Sequence, residues 1–286
     1  MLVICPTPIG NLEDITERQR QALAAADIIA CEDTRRTGKL LELLGIARVD
    51  GRPRLWRYDD HTASEEAANL VDRMVADERV VLVSDAGTPT ISDPGFKLVR
   101  LCRERGIEVQ ALPGPVAAMV ALSGSGLPTN RFYFEGFLPT GTEKRQARLI
   151  QLDQLDVTTV AYESPRRIVD ALRDVQAVMG ERREVCVARE LTKMHEEFLV
   201  GPVSQVVHTL EERGSIRGEV VLCVGPGVKD ELEEEQIWQD VDRTIEILHG
   251  QQVRSRTIKE IIDELYEVPR SKIYDRIDQV VKADER

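Results

Sequence analysis

From the first residue to about residue 225, short β-branched runs alternate with longer amphipathic stretches, and a chain patterned this way folds as α/β. Strands are predicted over residues 2–5, 27–31, 55–58, 80–84, 108–112, 132–135, 158–162, 184–188 and 219–224. Between them, residues 63–76 set Ala67, Leu70, Val71 and Met74 on one helical face, and residues 166–179 do the same with Ile168, Leu172 and Val175. A length of 286 residues holds about two ordinary domains and an appendage. Turn residues at 112–115 and 124–128 divide the α/β part into lobes of residues 1–115 and 116–228, facing each other across a cleft. Residues 229–236 are acidic and aperiodic and read as a solvated linker. The rest of the 229–286 tail reads as two helices, 257–265 and 270–281, broken at Glu267-Val268-Pro269. That pattern is helix-turn-helix-like, and it equally describes a packing appendage without a nucleic-acid role.

Several classes fall away on composition. With 42% hydrophobic and 31% charged residues the chain is neither disordered nor collagen-like. It lacks the ~18-residue apolar run of a membrane span, and its apolar start is too short for a signal peptide, so a cytoplasmic protein is expected. The cysteines Cys5, Cys31, Cys102, Cys186 and Cys223 contain no C-x-x-C pair and read as buried reduced thiols, and no His, Cys and carboxylate cluster has metal-site spacing. A net charge of −12 repels nucleic acid at long range, so such a partner needs a local basic patch. Arg254, Arg256, Lys259, Arg270, Lys272 and Arg276 supply one in the tail, diluted by Glu260, Asp263, Glu264 and Glu267.

Three loops rich in glycine and proline each follow a predicted strand: Pro6-Thr7-Pro8-Ile9-Gly10-Asn11-Leu12, Ser84-Asp85-Ala86-Gly87-Thr88-Pro89 and Pro113-Gly114-Pro115. Small residues at a strand's carboxyl end let a ligand approach the backbone and its N–H groups, and the three loops converge on one cleft if their strands are parallel neighbours. Neither the dinucleotide G-x-G-x-x-G nor the P-loop pattern is present, so ordinary nucleotide readings fail. Titratable groups flank predicted strand ends at Glu32-Asp33-Thr34-Arg35-Arg36, Asp59-Asp60-His61, Glu163-Ser164-Pro165-Arg166-Arg167 and Arg189-Glu190-Leu191-Thr192-Lys193. Each of these clusters equally suits a capped helix start.

In these residues and the motifs around them, the chain resembles the bacterial 16S ribosomal RNA cytidine 2′-O-methyltransferases of the tetrapyrrole methylase superfamily. The resemblance rests on Pro6-Thr-Pro-Ile-Gly-Asn-Leu, Glu32-Asp-Thr-Arg, Ser84-Asp-Ala-Gly-Thr-Pro, Asp93-Pro-Gly, Leu112-Pro-Gly-Pro, Glu135-Gly-Phe-Leu-Pro, Tyr162-Glu-Ser, Ala188-Arg-Glu-Leu-Thr-Lys and Gly218-Glu, in order. It implies a bilobal class III methyltransferase fold, S-adenosylmethionine in the cleft, usually a homodimer, and 16S rRNA of the small ribosomal subunit as partner. By the same resemblance, cofactor contacts fall on Pro6, Gly10, Ser84, Asp85, Ala86, Gly87, Thr88, Pro89, Ala117, Tyr162, Ala188 and Gly218. Relatives acting on precorrins typically carry Gly-Asp-Pro where Gly87-Thr88-Pro89 stands, which argues against a tetrapyrrole acceptor. A ribose hydroxyl needs a base, for which His61 helped by Asp60 comes first, with Glu32, Asp33 and Glu190 competing and Lys193 stabilising alkoxide charge. Arg35, Arg36, Lys39, Arg166 and Arg167 are expected to meet phosphates. Two other readings stay open: the same fold and cofactor with a tetrapyrrole or protein acceptor, and a ligand-sensing regulator whose tail binds DNA.

Overall fold

The structure, a computed structural model, describes residues 1–59, 63–227, 231–266 and 268–284. Met1–Gly227 forms one compact unit and Val228–Arg286 a second. The first unit contains two five-stranded sheets. One is built from β1 (Leu2–Ile4), β2 (Ile28–Cys31), β3 (Arg54–Arg57), β4 (Val80–Leu82) and β5 (Val109–Ala111), in the order β3-β2-β4-β1-β5 and parallel throughout. The helices α1 (Glu17–Ala24), α2 (Thr34–Leu43), α3 (Ala63–Val75) and α4 (Phe96–Glu104) supply its crossovers. Strands buried on both faces must be apolar along their length, and Ile28–Cys31 and Val80–Leu82 are buried at every position.

The chain then passes through α5 (Ala117–Gly124) into the second sheet. Its strands are β6 (Phe132–Phe137), β7 (Thr158–Glu163), β8 (Glu184–Arg189), β9 (Glu197–Pro202) and β10 (Val220–Val224), with α6 (Thr142–Asp153), α7 (Ile168–Met179) and α8 (Val203–Glu212) between them. The order is β6-β7-β10-β8-β9, parallel only at β6·β7. The predicted helical faces are the buried ones: Ala67, Leu70, Val71 and Met74 pack in one core cluster, and Ile168, Leu172 and Val175 in another. Nine strands were expected; β9 is the addition. Its apolar Phe198-Leu199-Val200 is short and ends in Gly201-Pro202, which reads as a turn but is tolerated on an edge strand. All five cysteines are buried thiols, and burial pushes Cys5 and Cys223 up to about 12.

The second unit corrects the linker reading. Helix α9 (Glu231–Gly250) occupies most of the stretch assigned to a solvated connection, because its glutamates favour the positive amino end of a helix. With α10 (Ser255–Leu265) and α11 (Arg270–Asp284) it encloses Val241, Ile245, Ile258, Ile262, Ile273 and Ile277. The tail is thus a three-helix unit with a core of its own, not two helices on a tether. No helix among the described residues is long and apolar enough to cross a membrane.

A buried ion pair braces the segment after β6. Arg145 and Asp174 have side chains only 3% and 8% exposed, and Arg145 Nε donates to Asp174 Oδ2 at 2.6 Å. Arg145 Nη1 also donates to the carbonyls of Pro139 (3.3 Å) and Thr140 (3.2 Å), and Gln146 donates to the other carboxylate oxygen at 2.7 Å. Removing one partner strands the other charge in the core, so Asp174→Ala is expected to lower stability by about 3–5 kcal/mol in urea unfolding. A loss under 1 kcal/mol contradicts this bracing role.

Candidate functional site

The three glycine-proline loops leave the carboxyl ends of β4, β1 and β5, which are adjacent and parallel, so they do meet. Their union is hydrogen-bonded. The Thr7 N–H donates to the Gly87 carbonyl at 2.9 Å and the Gly87 N–H to the Thr7 carbonyl at 3.0 Å. Thr7 Oγ1 donates to the Ser84 carbonyl (3.2 Å), and Ser84 Oγ to that of Gly87 (3.0 Å). Gly87 has φ +90°, a conformation that L side chains resist. The third loop joins through Thr88 Oγ1, which donates to the Pro115 carbonyl at 2.9 Å, and through Gln19 Nε2, which donates to that of Pro113 at 3.0 Å. A Cβ on Gly114 would stand 2.2 Å from Pro6 Cβ, so only glycine permits this approach.

Between these loops and the second sheet lies a cavity of about 360 Å³, walled by Ile9, Gly87, Thr88 and Ala117 on one side and Tyr162, Glu163, Leu191 and Gly218 on the other. Of the expected cofactor contacts, Ala86, Gly87, Thr88, Ala117, Tyr162 and Gly218 line it. Gly10, Ser84 and Asp85 instead line a neighbouring recess of about 200 Å³ with Arg36. Pro6 and Pro89 are buried, and Ala188 packs behind the wall with Ala118, Val160 and Cys223, because β8 is covered there by its neighbours. Asp93, Phe137, Glu163 and Glu219 also line the cavity, although sequence reasoning gave them no site role. Their signal was a place inside the motifs at 93, 135–139, 162–164 and 218–219, and for Glu163 also the titratable cluster at 163–167.

The wall suits a small zwitterion with a flat apolar part. Helix α5 opens at Val116 without a side-chain cap, and Val116 and Ala117 line the cavity; the next N–H groups are already used, that of Ala118 by Tyr162 and that of Met119 by the Val116 carbonyl. Burial is the larger influence on that phenol and pushes it up. Asp93 and Glu219 offer the opposite charge, and Ile9, Leu191 and Val221 the apolar surface. Glu163 is fully buried, held by Arg167 at 2.5 Å and by the Ser164 N–H at 2.6 Å. Arg167, expected to meet phosphate, is therefore committed to a buried carboxylate inside the fold. Arg166 is exposed.

The candidate acids and bases separate by environment. Asp33 caps α2: it accepts from the Arg35 N–H at 2.8 Å and from the Arg35 guanidinium, which holds it at about 2. A carboxylate that weakly basic is a helix cap, not a proton acceptor. Glu190 accepts from Lys193 Nζ and from the Glu219 N–H, each at 2.9 Å, and these bonds, Lys193 first, hold it below the usual carboxylate range. Desolvation works against the Lys193 cation, but its bonds to Glu190 and Glu219 outweigh this and raise it. Glu190 and Thr192 have φ of +49° and +64°, costly for a β-branched threonine, and Thr192 Oγ1 accepts from the Asn11 N–H at 3.1 Å. The strained loop of the second sheet thus locks onto the first loop of the other. Glu32 is half-buried beside Asp33, while Asp60 and His61 lie outside the described residues.

Basic residues divide likewise. Arg35, Arg36 and Lys39 project from α2 beside the smaller recess, paired with Asp33, Asp85 and Glu42 but still mostly exposed. In the tail, Arg270 grips Asp263 and Arg276 grips Asp242 in two-point pairs, Arg256 meets Glu260, and Lys259 sits 4.0 Å over the Tyr274 ring. Arg254 and Lys272 are exposed. Much of the tail's positive charge is neutralised within its own three helices, which weakens the patch expected from sequence.

The depressed Glu190 makes a pH-dependent contribution. Its stabilisation is complete above the unfolded carboxylate range and is lost as pH falls through the lower folded value. Glu190→Gln is expected to cost about 1–3 kcal/mol at pH 7. That difference from wild type should shrink below the usual carboxylate range, as measured by urea titrations at successive pH values; a pH-independent gap would contradict the pairing.

The model of the tetrapyrrole (corrin/porphyrin) methylases matches residues 1–207. A ribosomal RNA small subunit methyltransferase I from Escherichia coli O157:H7 is 45% identical over 87% of this chain and 85% of its own. One from Vibrio cholerae is 41% identical over 96% and 93%. Among solved structures, a cobalt precorrin-4 methyltransferase superposes with a TM-score of 0.58 at 17% identity, over 78% of this chain and 94% of its own. A Thermus thermophilus uroporphyrin-III C-methyl transferase complexed with S-adenyl homocysteine gives 0.54 at 16%, over 78% and 96%. These last two likenesses concern the fold. Matched over most of its length, the chain belongs to the tetrapyrrole (corrin/porphyrin) methylase family, together with the proteins called ribosomal RNA small subunit methyltransferase I.

Proposed function

We propose that the protein is an S-adenosylmethionine-dependent methyltransferase acting on the 2′-hydroxyl of a cytidine in 16S rRNA of the small ribosomal subunit, as a cytoplasmic homodimer. One observation carries the reading: the cavity framed by the Thr7–Gly87 bridge and the uncapped start of α5, in a chain 41–45% identical to relatives named for small-subunit rRNA methylation. The residues present fit the cofactor. The start of α5 at Val116 and Ala117 suits its carboxylate, Asp93 and Glu219 its positive charges, and Ile9, Leu191 and Val221 its ring system. When bound, the cofactor supplies a methyl group already activated by its sulfonium.

What remains for the chain is to orient the acceptor ribose and take its proton. Lys193, held cationic by Glu190 and Glu219, stabilises negative charge growing on the ribose oxygen. Asp33 and Glu190 are too weakly basic for the proton, which leaves His61, helped by Asp60, and Glu32. An imidazole titrates nearest neutral pH, so His61 is the proposed base. Arg35, Arg36 and Lys39, with Arg166, Arg254 and Lys272, position the RNA backbone.

The test is methyl transfer from labelled S-adenosylmethionine to small subunits, naked RNA and tetrapyrroles in parallel. Label in the RNA of small subunits, at a ribose, is expected; label in tetrapyrrole alone would overturn the assignment. Lys193→Met should lower kcat by about 10²–10³-fold with cofactor affinity, read by calorimetry, unchanged. His61→Ala is expected to lower kcat by about 10²–10⁴-fold while Glu32→Gln stays near wild type; the reverse pattern would transfer the role to Glu32.

A further inference from the structure

The strand β6 is interrupted by a bulge at the cavity. Phe134 pairs with Val160 and Phe137 with Tyr162, but only Ala161 lies between those partners while Glu135 and Gly136 lie between the phenylalanines. In a regular strand, residues three apart point to opposite faces. Here the extra residue restores both to one face, and both rings touch Tyr162, with centroids 5.2 Å and 5.5 Å away. Gly136 makes the turn at φ +73°, where a side chain is strained. Space is not the constraint, since a Cβ there would meet Ser92 Oγ at an ordinary 3.5 Å. The consequence is that Phe137 lines the cavity yet stays 60% exposed, while Leu138 beside it is 3% exposed in the core. The segment is anchored from behind by Arg145, which grips the carbonyls of Pro139 and Thr140.

An exposed phenylalanine alone means little. One turned into a cavity by a glycine bulge, steadied by a second aromatic and braced by a buried ion pair is held ready for a flat partner. Ile91, 38% exposed on a loop where Thr90 and Ser92 have φ of +76° and +63°, lines the same cavity from the first sheet. Phe137 is the exposed ring of this wall, and an acceptor carried on a large particle enters from the solvent side. We propose that Phe137 is the stacking platform for the nucleobase of the methyl-accepting nucleotide, with Ile91 closing over the other side of the base. This rests on the reading of the cavity as an RNA methylation site. Single-stranded bases are commonly held by stacking on aromatic rings, and one drawn into a pocket gives up stacking on its neighbours that such a platform replaces.

The test compares Phe137→Ala, Phe137→Leu and Phe137→Tyr with wild type for methyl transfer to small subunits, for S-adenosylhomocysteine affinity by calorimetry, and for solution mass by light scattering. Base–aromatic stacking is worth ~1–3 kcal/mol, which at 1.4 kcal/mol per tenfold is about 5- to 140-fold. Loss of kcat/KM in that range is expected for Ala and Leu, with Tyr within about threefold of wild type and cofactor affinity within about twofold. Wild-type rates in the Ala and Leu variants overturn the proposal. So does a cofactor affinity weakened tenfold, which makes Phe137 a cofactor wall, and so does a changed mass, which makes it a contact between copies. A wild type that transfers nothing to RNA removes the RNA reading itself, before any variant is compared.

Discussion

Two backbone hydrogen bonds between Thr7 and Gly87 hold the site together. They form an isolated antiparallel bridge beyond the parallel β1·β4 pairing, so the loops that follow share one surface instead of diverging. Gly87 at positive φ permits the bridge, and the Ser84 and Thr7 hydroxyls brace its loop carbonyls. The other contacts depend on that placement: Thr88 reaches Pro115, and the first loop lies where Asn11 meets Thr192 and where Gly10 leaves room for Lys193.

Electrostatics divides the residues into those that hold the fold and those left for ligands. In a chain of net charge −12, acidic groups are plentiful, and many of the arginines are bound by them. Arg145 and Arg167 are consumed internally by Asp174 and Glu163, and Arg276 by Asp242. What remains exposed on α2 is a short basic face, so any attraction to a polyanion is local and the long-range field opposes it.

Much of this could be read before any fold was known. The alternation of strands and helices, the buried faces of α3 and α7 and the three loops were legible because each depends on local rules: side-chain periodicity and the backbone freedom of glycine. The errors have equally local causes. In β9, Gly201-Pro202 mimics a turn; in α9, a run of glutamates resembles a linker although it suits a helix start. Ala188 sits behind the cavity wall because the packing of β8 against its neighbours, not strand order, decides which positions open onto it.

Local chemistry written in the chain determined the α/β class, the glycine-proline loops and their position after strands, since positive φ and close backbone approach admit few residue types. The tertiary structure alone decided that Arg167 serves Glu163, that Glu190 is pinned by Lys193 and Glu219, and that a bulge turns Phe137 into the cavity. Those outcomes hang on partners that only folding brings together, or on a one-residue shift of register that reverses which face a side chain occupies and leaves no mark in sequence periodicity.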